Sequence, residues 1–227
     1  MIICIEQVLT TAQLQTIQGF LKTATFSDGR LTAGPFAQGV KDNEQAVIDQ
    51  SLSDCIDQII TPAIQNHPLF KAAIRPKKIR PCLLSRYNPG MAYGWHTDNA
   101  LMGQGENCTR SDVSLTLFLS DPESYGGGEL IIDTGLGEQS FKLQAGSLVA
   151  YPSTFLHQVT AVTSGVRLAA VTWVESWVRS VQHREMLFDL DTVQRSLFKQ
   201  SGKTIELDLL NKTYVNLLRQ WVDWGEH

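Results

Sequence analysis

The chain is poor in several features that mark whole classes of protein. It has no surplus of basic charge: 19 Lys and Arg stand against 23 Asp and Glu, a net charge of −4. Proteins that grip a nucleic-acid backbone neutralise phosphates with clustered Lys and Arg, so no nucleic-acid partner is expected. It has no apolar run near the ~20 residues that a spanning helix needs, so no membrane partner is expected either. Met1 to Ile5 are followed directly by Glu6, without the basic start and long apolar stretch of a secretory signal. The four cysteines, Cys4, Cys55, Cys82 and Cys108, lie in separate segments and form no C-x-x-C pair. That argues against a thiolate zinc site and a disulfide framework, and it points to reduced thiols in a cytoplasmic protein. Histidine is scarce too: His67, His96, His157, His183 and His227 are the whole supply.

What is present suffices for one large domain with a small appendage: 227 residues, 43% hydrophobic and only 19% charged. No internal repeat or low-complexity tract is visible. Residues 2–8 read as a strand. Thr10 or Thr11 caps a helix with Leu14, Ile17, Phe20 and Leu21 on one face. Residues 26–43 read as a long loop. A second helix is expected over about 43–60, with Val47, Ile48, Leu52, Cys55, Ile56 and Ile59 inward and Pro62 and Pro68 ending it. From 77 to 175 short apolar runs alternate with Gly, Pro, Asn and Asp, as in 79–87, 113–119, 129–133, 140–143, 147–151, 157–162 and 167–174. Over 113–120 the apolar residues alternate with period two, a strand with one dry face. Many such strands suggest an antiparallel sandwich or barrel. Two helices follow, one carrying Met186, Leu187, Leu190, Val193 and Leu197, the other Leu207, Leu210, Tyr214, Leu217, Leu218 and Trp221, with Gly202 between them. The expected fold is therefore mainly β with flanking helices (α+β): a support region over 1–77, a strand-rich core over 78–176 and a helical extension over 177–227.

The chemistry gathers in Arg86-Tyr87-Asn88-Pro89-Gly90-Met91-Ala92-Tyr93-Gly94-Trp95-His96-Thr97-Asp98-Asn99. Asn88-Pro89-Gly90 is a turn, and the chain then becomes extended. Residues i and i+2 of an extended segment point the same way, so His96 and Asp98 present an imidazole and a carboxylate to one side. That is half of a metal site, and His-x-Asp alone is common. His157, opening a later strand, offers a third ligand; its plainer reading is a strand-end histidine bonded to backbone. Two His and one carboxylate make the facial triad of non-haem Fe(II) oxygenases, which leaves three metal positions free. Arg167 follows the Ser164-Gly165 turn and starts a very apolar strand. A charge there needs an anionic partner, either a bidentate ligand carboxylate or an Asp or Glu of the chain. Trp173, six residues on, shares its face. Tyr93 and Trp95 flank the metal strand; Trp95 reads as core packing, with substrate contact as the alternative.

Together these residues resemble the Fe(II)/2-oxoglutarate-dependent dioxygenases, and within them the PKHD-type hydroxylases of the prolyl 4-hydroxylase-like group. Nearly the whole chain is covered. The shared phrases include Arg86-Tyr87, His96-Thr97-Asp98-Asn99-Ala100, Tyr125-Gly126-Gly127-Gly128-Glu129-Leu130, Ala145-Gly146-Ser147-Leu148-Val149, Leu156-His157-Gln158-Val159-Thr160 and Gly165-Val166-Arg167. The resemblance implies a double-stranded β-helix, or jelly roll, with N-terminal helices packed on it. It implies Fe(II) on His96, Asp98 and His157, and 2-oxoglutarate with its distal carboxylate on Arg167. Tyr87 and Trp173 match residues that line the co-substrate pocket or the last core strand. L-Ascorbate is implied as the reductant that keeps the iron reduced. O2 and a small-molecule or peptide substrate complete the reaction, hydroxylation coupled to conversion of 2-oxoglutarate into succinate and CO2. Asp98 speaks against a halogenase, which has a small residue there. Phe118 departs from the animal prolyl hydroxylases, which carry a tyrosine; Ser114, Thr116 or Tyr87 are the candidates to replace that phenol. The family is associated with iron acquisition, and the C-terminal helices are a candidate surface for homo-oligomer formation.

Two rival readings share the fold. A cupin-like metal enzyme without 2-oxoglutarate leaves Arg167 without a task and usually uses more histidines. A non-catalytic binding module needs none of the four residues together. His67, His183 and His227 are assigned no role in the site.

Overall fold

The structure is a computed structural model that describes residues 1–224. Its strands in chain order are β1 (Ile3–Ile5), β2 (Phe26–Asp28), β3 (Lys41–Asp42), β4 (Glu44–Ala46), β5 (Pro76–Ile79), β6 (Leu83–Tyr87), β7 (Ala92–His96), β8 (Leu101–Met102) and β9 (Thr109–Arg110). They continue with β10 (Val113–Phe118), β11 (Tyr125–Gly127), β12 (Leu130–Asp133), β13 (Glu138–Phe141), β14 (Leu148–Pro152), β15 (Leu156–Val159), β16 (Val162–Gly165) and β17 (Arg167–Ser176). The helices are α1 (Thr11–Thr23), α2 (Gln50–Cys55), α3 (Thr61–Asn66), α4 (Pro68–Ile74), α5 (Val181–Ser201) and α6 (Ile205–Trp221).

Two antiparallel sheets face each other. The larger is ordered β1-β14-β10-β17-β6-β4-β2, with β5 also on β17, and the smaller β13-β12-β15-β7-β3. This is the jelly roll that the resemblance implies. One core lies between the larger sheet and the N-terminal helices, where Ile17, Leu21, Leu52, Ile60 and Phe70 meet Leu115, Leu117, Ala150 and Ala170. A second, smaller core lies inside the roll, with Tyr87, Phe118, Leu130, Ile132, Val149, Tyr151 and Val159.

Several local expectations change. Strand β10 is buried on both faces, because it sits between β14 and β17 and is covered on each side. Its odd residues face the helices. Its even residues include Ser114 and Thr116, polar side chains that the interior of the roll has to satisfy. The helix expected over 43–60 starts only at Gln50, because 44–46 form β4 against β6, and Val47 and Ile48 are exposed. Nor does Pro62 end it. Helix α2 continues through a π-turn over Ile56–Ile60 into α3, and the Thr61 N–H bonds to the Ile56 carbonyl five residues back. A proline has no N–H and crowds the preceding turn, so widening that turn lets the helix pass through it. The stretch 26–43 is not all loop: it contains β2 and β3.

The C-terminal helices pack where they were expected. Arg75 donates to Tyr214 Oη (2.9 Å) and the Leu187 carbonyl (3.4 Å), and His183 stacks on Trp221 at 4.0 Å. His227 lies outside the described residues. All four cysteines are free. Among the described residues no helix is long and apolar enough to cross a membrane.

Candidate active site

Strand β7 ends at His96, and Asp98 follows in the loop beyond it. Strand β15 places His157 directly opposite His96 in the register. One potential ligand atom from each of His96, Asp98 and His157 lies within 4.8 Å of the others, the only such cluster among the described residues. His157 Nε2 is 3.7 Å from Asp98 Oδ2.

The orientation of both rings is fixed by backbone. His96 Nδ1 meets the Gly94 carbonyl at 2.8 Å, and His157 Nδ1 meets the Phe155 carbonyl at 3.1 Å. A carbonyl only accepts, so each Nδ1 carries the proton and each Nε2 keeps its lone pair for a metal. Burial, and next the neighbouring His157, push His96 down to about 4, which keeps it neutral and able to ligate. Asp98 is held from behind by Ser114 Oγ (2.5 Å), which meets Ser153 Oγ (2.8 Å), which in turn receives Ser111 Oγ (2.9 Å). The donor set suits Fe(II): two imidazoles and one carboxylate, oriented by a second layer of contacts, at the edge of a cavity of about 490 Å³.

Arg167 lies in the same cavity and is 1% exposed. It opens β17 opposite Tyr87 of β6. Its guanidinium sits over the Tyr87 ring at 5.0 Å and the Phe118 ring at 5.6 Å. Among the described residues no carboxylate lies within ion-pair distance of it, and its Nε has no hydrogen-bond partner. The partner that the sequence demands is therefore not an Asp or Glu of the described chain. The ring of Phe118 covers the guanidinium even without a phenol. Of the candidates to replace that phenol, Ser114 is committed to Asp98, whereas Thr116 and Tyr87 both line the cavity. Tyr125, present in the sequence reading only within a shared phrase, lies beside Arg167, and its buried Oη has that guanidinium as its nearest polar neighbour and no close partner otherwise. Trp173 lines the cavity on the same strand as Arg167, and its Nε1 is buried without a partner.

Some site residues were not legible. Tyr93 stacks on His96 with ring centroids 3.6 Å apart, although residues three apart in a regular strand point to opposite sides. The register jumps from His157↔His96 to Val159↔Tyr93, so β7 holds one extra residue there. That bulge turns Tyr93 to the side of His96. Trp95, read as core, is 39% exposed. Lys41 and Asn43, which fell in or beside the expected loop, line the cavity and are buried.

Comparison with known proteins agrees with this geometry. The model of the 2OG-Fe(II) oxygenase superfamily matches residues 82–175, and that of the PKHD-type hydroxylase C-terminal domain matches residues 182–223. The chain is 53% identical to a PKHD-type hydroxylase of Thermosynechococcus vestitus, over 98% of this chain and 100% of that one. It is also 53% identical to one of Synechococcus elongatus, over 97% and 99%. A Pseudomonas putida prolyl-4-hydroxylase shares the fold with a TM-score of 0.57 at 19% identity, covering 77% of this chain and 92% of that one. A viral collagen prolyl hydroxylase from Paramecium Bursaria Chlorella virus-1, solved with 2OG, gives a TM-score of 0.52 at 20% identity, over 77% and 95%. The chain belongs to the PKHD-type hydroxylase family of the 2OG-Fe(II) oxygenase superfamily.

Proposed function

We propose that His96, Asp98 and His157 hold Fe(II), that Arg167 receives the distal carboxylate of 2-oxoglutarate, and that the chain hydroxylates a small molecule or peptide. The observation that carries this reading is Arg167: a buried guanidinium without an anionic partner among the described residues, in the cavity that contains the triad. An unpaired buried charge is costly, and a planar guanidinium accepts a carboxylate bidentately. A metal enzyme that makes no use of 2-oxoglutarate leaves that charge unexplained.

When bound, Fe(II) and 2-oxoglutarate together supply oxidation of a C–H bond by O2, with succinate and CO2 formed from the 2-oxoglutarate. The chain supplies the rest. The two Nδ1–carbonyl contacts aim the imidazoles, Ser114 fixes one oxygen of Asp98, and the rings of Tyr87 and Phe118 hold the guanidinium in place. The inner apolar residues Leu130 and Val159 limit water in the cavity. L-Ascorbate fits the reading as the agent that keeps the iron reduced, a cytoplasmic setting fits the free thiols, and a role in iron acquisition fits the family association.

The test is succinate release from 2-oxoglutarate by iron-loaded protein after O2 and ascorbate are added, beside calorimetric titration of 2-oxoglutarate in wild type and Arg167→Ala. Iron-dependent succinate that is lost in the variant supports the reading. Iron uptake without 2-oxoglutarate binding overturns it. Pairing of two chains through α5 and α6 is supported by the exposed Val193, Phe198, Ile205 and Leu209. Sedimentation of wild type against Phe198→Ser tests it.

A further inference from the structure

One wall of the cavity takes no part in holding iron or the distal carboxylate of 2-oxoglutarate. It is built by the chain from Lys41 to Gln45, which leaves the smaller sheet as β3 and enters the larger as β4. Lys41 is 6% exposed and Asn43 is 3% exposed, and both line the cavity. The Lys41 ammonium makes one hydrogen bond, donating to Thr32 Oγ1 at 3.0 Å, and Thr32 Oγ1 donates to Gln45 Oε1 at 2.8 Å. Two of the three ammonium protons therefore face no acceptor among the described residues, and no carboxylate lies within ion-pair distance. Asn43 is only loosely satisfied: its Nδ2 and Oδ1 are buried without a close partner, the Tyr87 hydroxyl being the polar group beside its amide. Trp173 Nε1, on the larger sheet, is also buried without a partner.

Buried polar groups are normally paired, and each one left unpaired is costly. Here three side chains with unmade hydrogen bonds line one cavity. On the proposed reading, both ends of 2-oxoglutarate are already served, one by the metal and one by Arg167. The remaining cation is thus left for another molecule. Its place suits the primary substrate: Lys41 Nζ lies 5.1 Å from the centre of the Tyr93 ring, and that ring stacks on His96. Burial draws the ammonium down to about 8, so it is still cationic at neutral pH. A single positive charge, with Asp98 acting on it from the metal site, suits a monoanion better than a dianion such as phosphate.

We propose that the primary substrate carries a carboxylate that binds Lys41, with Asn43 and the Trp173 N–H completing its polar contacts, next to the His–Asp–His centre. This rests on the reading of Arg167 and the triad given above.

The experiment uses full-length protein with zinc in place of iron and saturating 2-oxoglutarate, so that nothing turns over. The probes are acetate, benzoate and N-acetylglycinate, each against its primary amide, titrated by ligand-observed NMR. In wild type each acid binds at least tenfold tighter than its amide, about 1.4 kcal/mol. In Lys41→Met, which keeps the apolar stem, the ratio falls to about one. In Lys41→Arg, which keeps the charge, the preference for acids persists. Calorimetry gives the 2-oxoglutarate affinity of both variants within twofold of wild type. The proposal falls if wild type shows no acid preference, an absence of binding by every acid included, or if Lys41→Met retains the preference. It falls too if Lys41→Met loses 2-oxoglutarate as Arg167→Ala does, which would move Lys41 to the co-substrate. Failure of the functional reading shows separately, as wild-type protein that does not bind 2-oxoglutarate.

Discussion

Ser114 Oγ and Asp98 Oδ2 are 2.5 Å apart, so one oxygen of the candidate metal-binding carboxylate is held by a hydroxyl on β10, an inner strand of the larger sheet. Ser153 stands behind that hydroxyl at 2.8 Å. Groups that orient metal ligands typically contribute 10- to 100-fold in affinity. Ser114→Ala is expected to weaken iron binding by about that factor. Competition against a chelator of known affinity measures it, and unchanged iron affinity would mean that Asp98 is positioned by other contacts.

Arg167→Ala removes the receiving half of a buried charge pair, which costs on the order of 2–5 kcal/mol of binding. 2-Oxoglutarate is expected to bind roughly 30- to 3000-fold more weakly, with iron still bound stoichiometrically. Titration of the metal-loaded variant checks this. In the absence of ligand the variant is expected to be no less heat-stable than wild type, because it removes a charge that the described chain leaves unpaired.

Gly128 has φ +67°, and a Cβ there would come 3.0 Å from Arg167 Cδ, Tyr125 Cε2 and Val162 Cγ2 alike. Gly128→Ala is expected to cost about 1–3 kcal/mol of stability and to weaken 2-oxoglutarate binding by displacing Arg167. Gly135 has φ +78° with nothing within 4 Å, so Gly135→Ala carries the backbone strain alone. It is expected to lower Tm and leave 2-oxoglutarate binding intact. Equal binding losses in the two variants would rule out the packing account.

Lys41 gives a pH signature. Burial lowers it from 10.5 to about 8, partly offset by Asp98 and Asp28. Between those pH values the unfolded chain holds a proton that the folded chain has released, so this group makes stability rise with pH across the window. Lys41→Met removes that contribution. The variant is expected to exceed wild type by of order 1–3 kcal/mol below pH 8 and to lose the advantage toward pH 10.5. Urea unfolding at pH 7 and at pH 10 compares them; a constant difference would contradict the assignment.

The chemistry was readable where it follows local rules. Period-two spacing put His96 and Asp98 on one side and the cost of a buried charge marked Arg167, whereas His157 and Arg167 were joined to that pair by the chemistry of the facial triad and by the family resemblance. The geometry around them was not readable. Tyr93 faces His96 only through a bulge, which pairing with β15 creates and no local pattern announces. Lys41 pairs with Tyr93 and Gln45 with Ser85, both partners far along the chain, so a polar stretch that looks like loop becomes strand. Pro62 misled for the opposite reason: the helix absorbs it by a change of pitch supported by packing of Ile56, Ile60 and Ile64.

The passage of residues 41–46 from one sheet into the other has a mechanical side. A backbone already extended cannot lengthen, gaining only about 3.3 Å for each residue inserted. The two sheets are therefore tethered at a set separation along this edge, as two boards are by a fixed bracket. A bulky guest enters where the cavity is lined by surface segments that can yield, such as the lip formed by Leu101 to Gly103. The thickness of a molecule beside Lys41 is limited by chain length, and its breadth toward that lip is limited only by how far those surface segments yield.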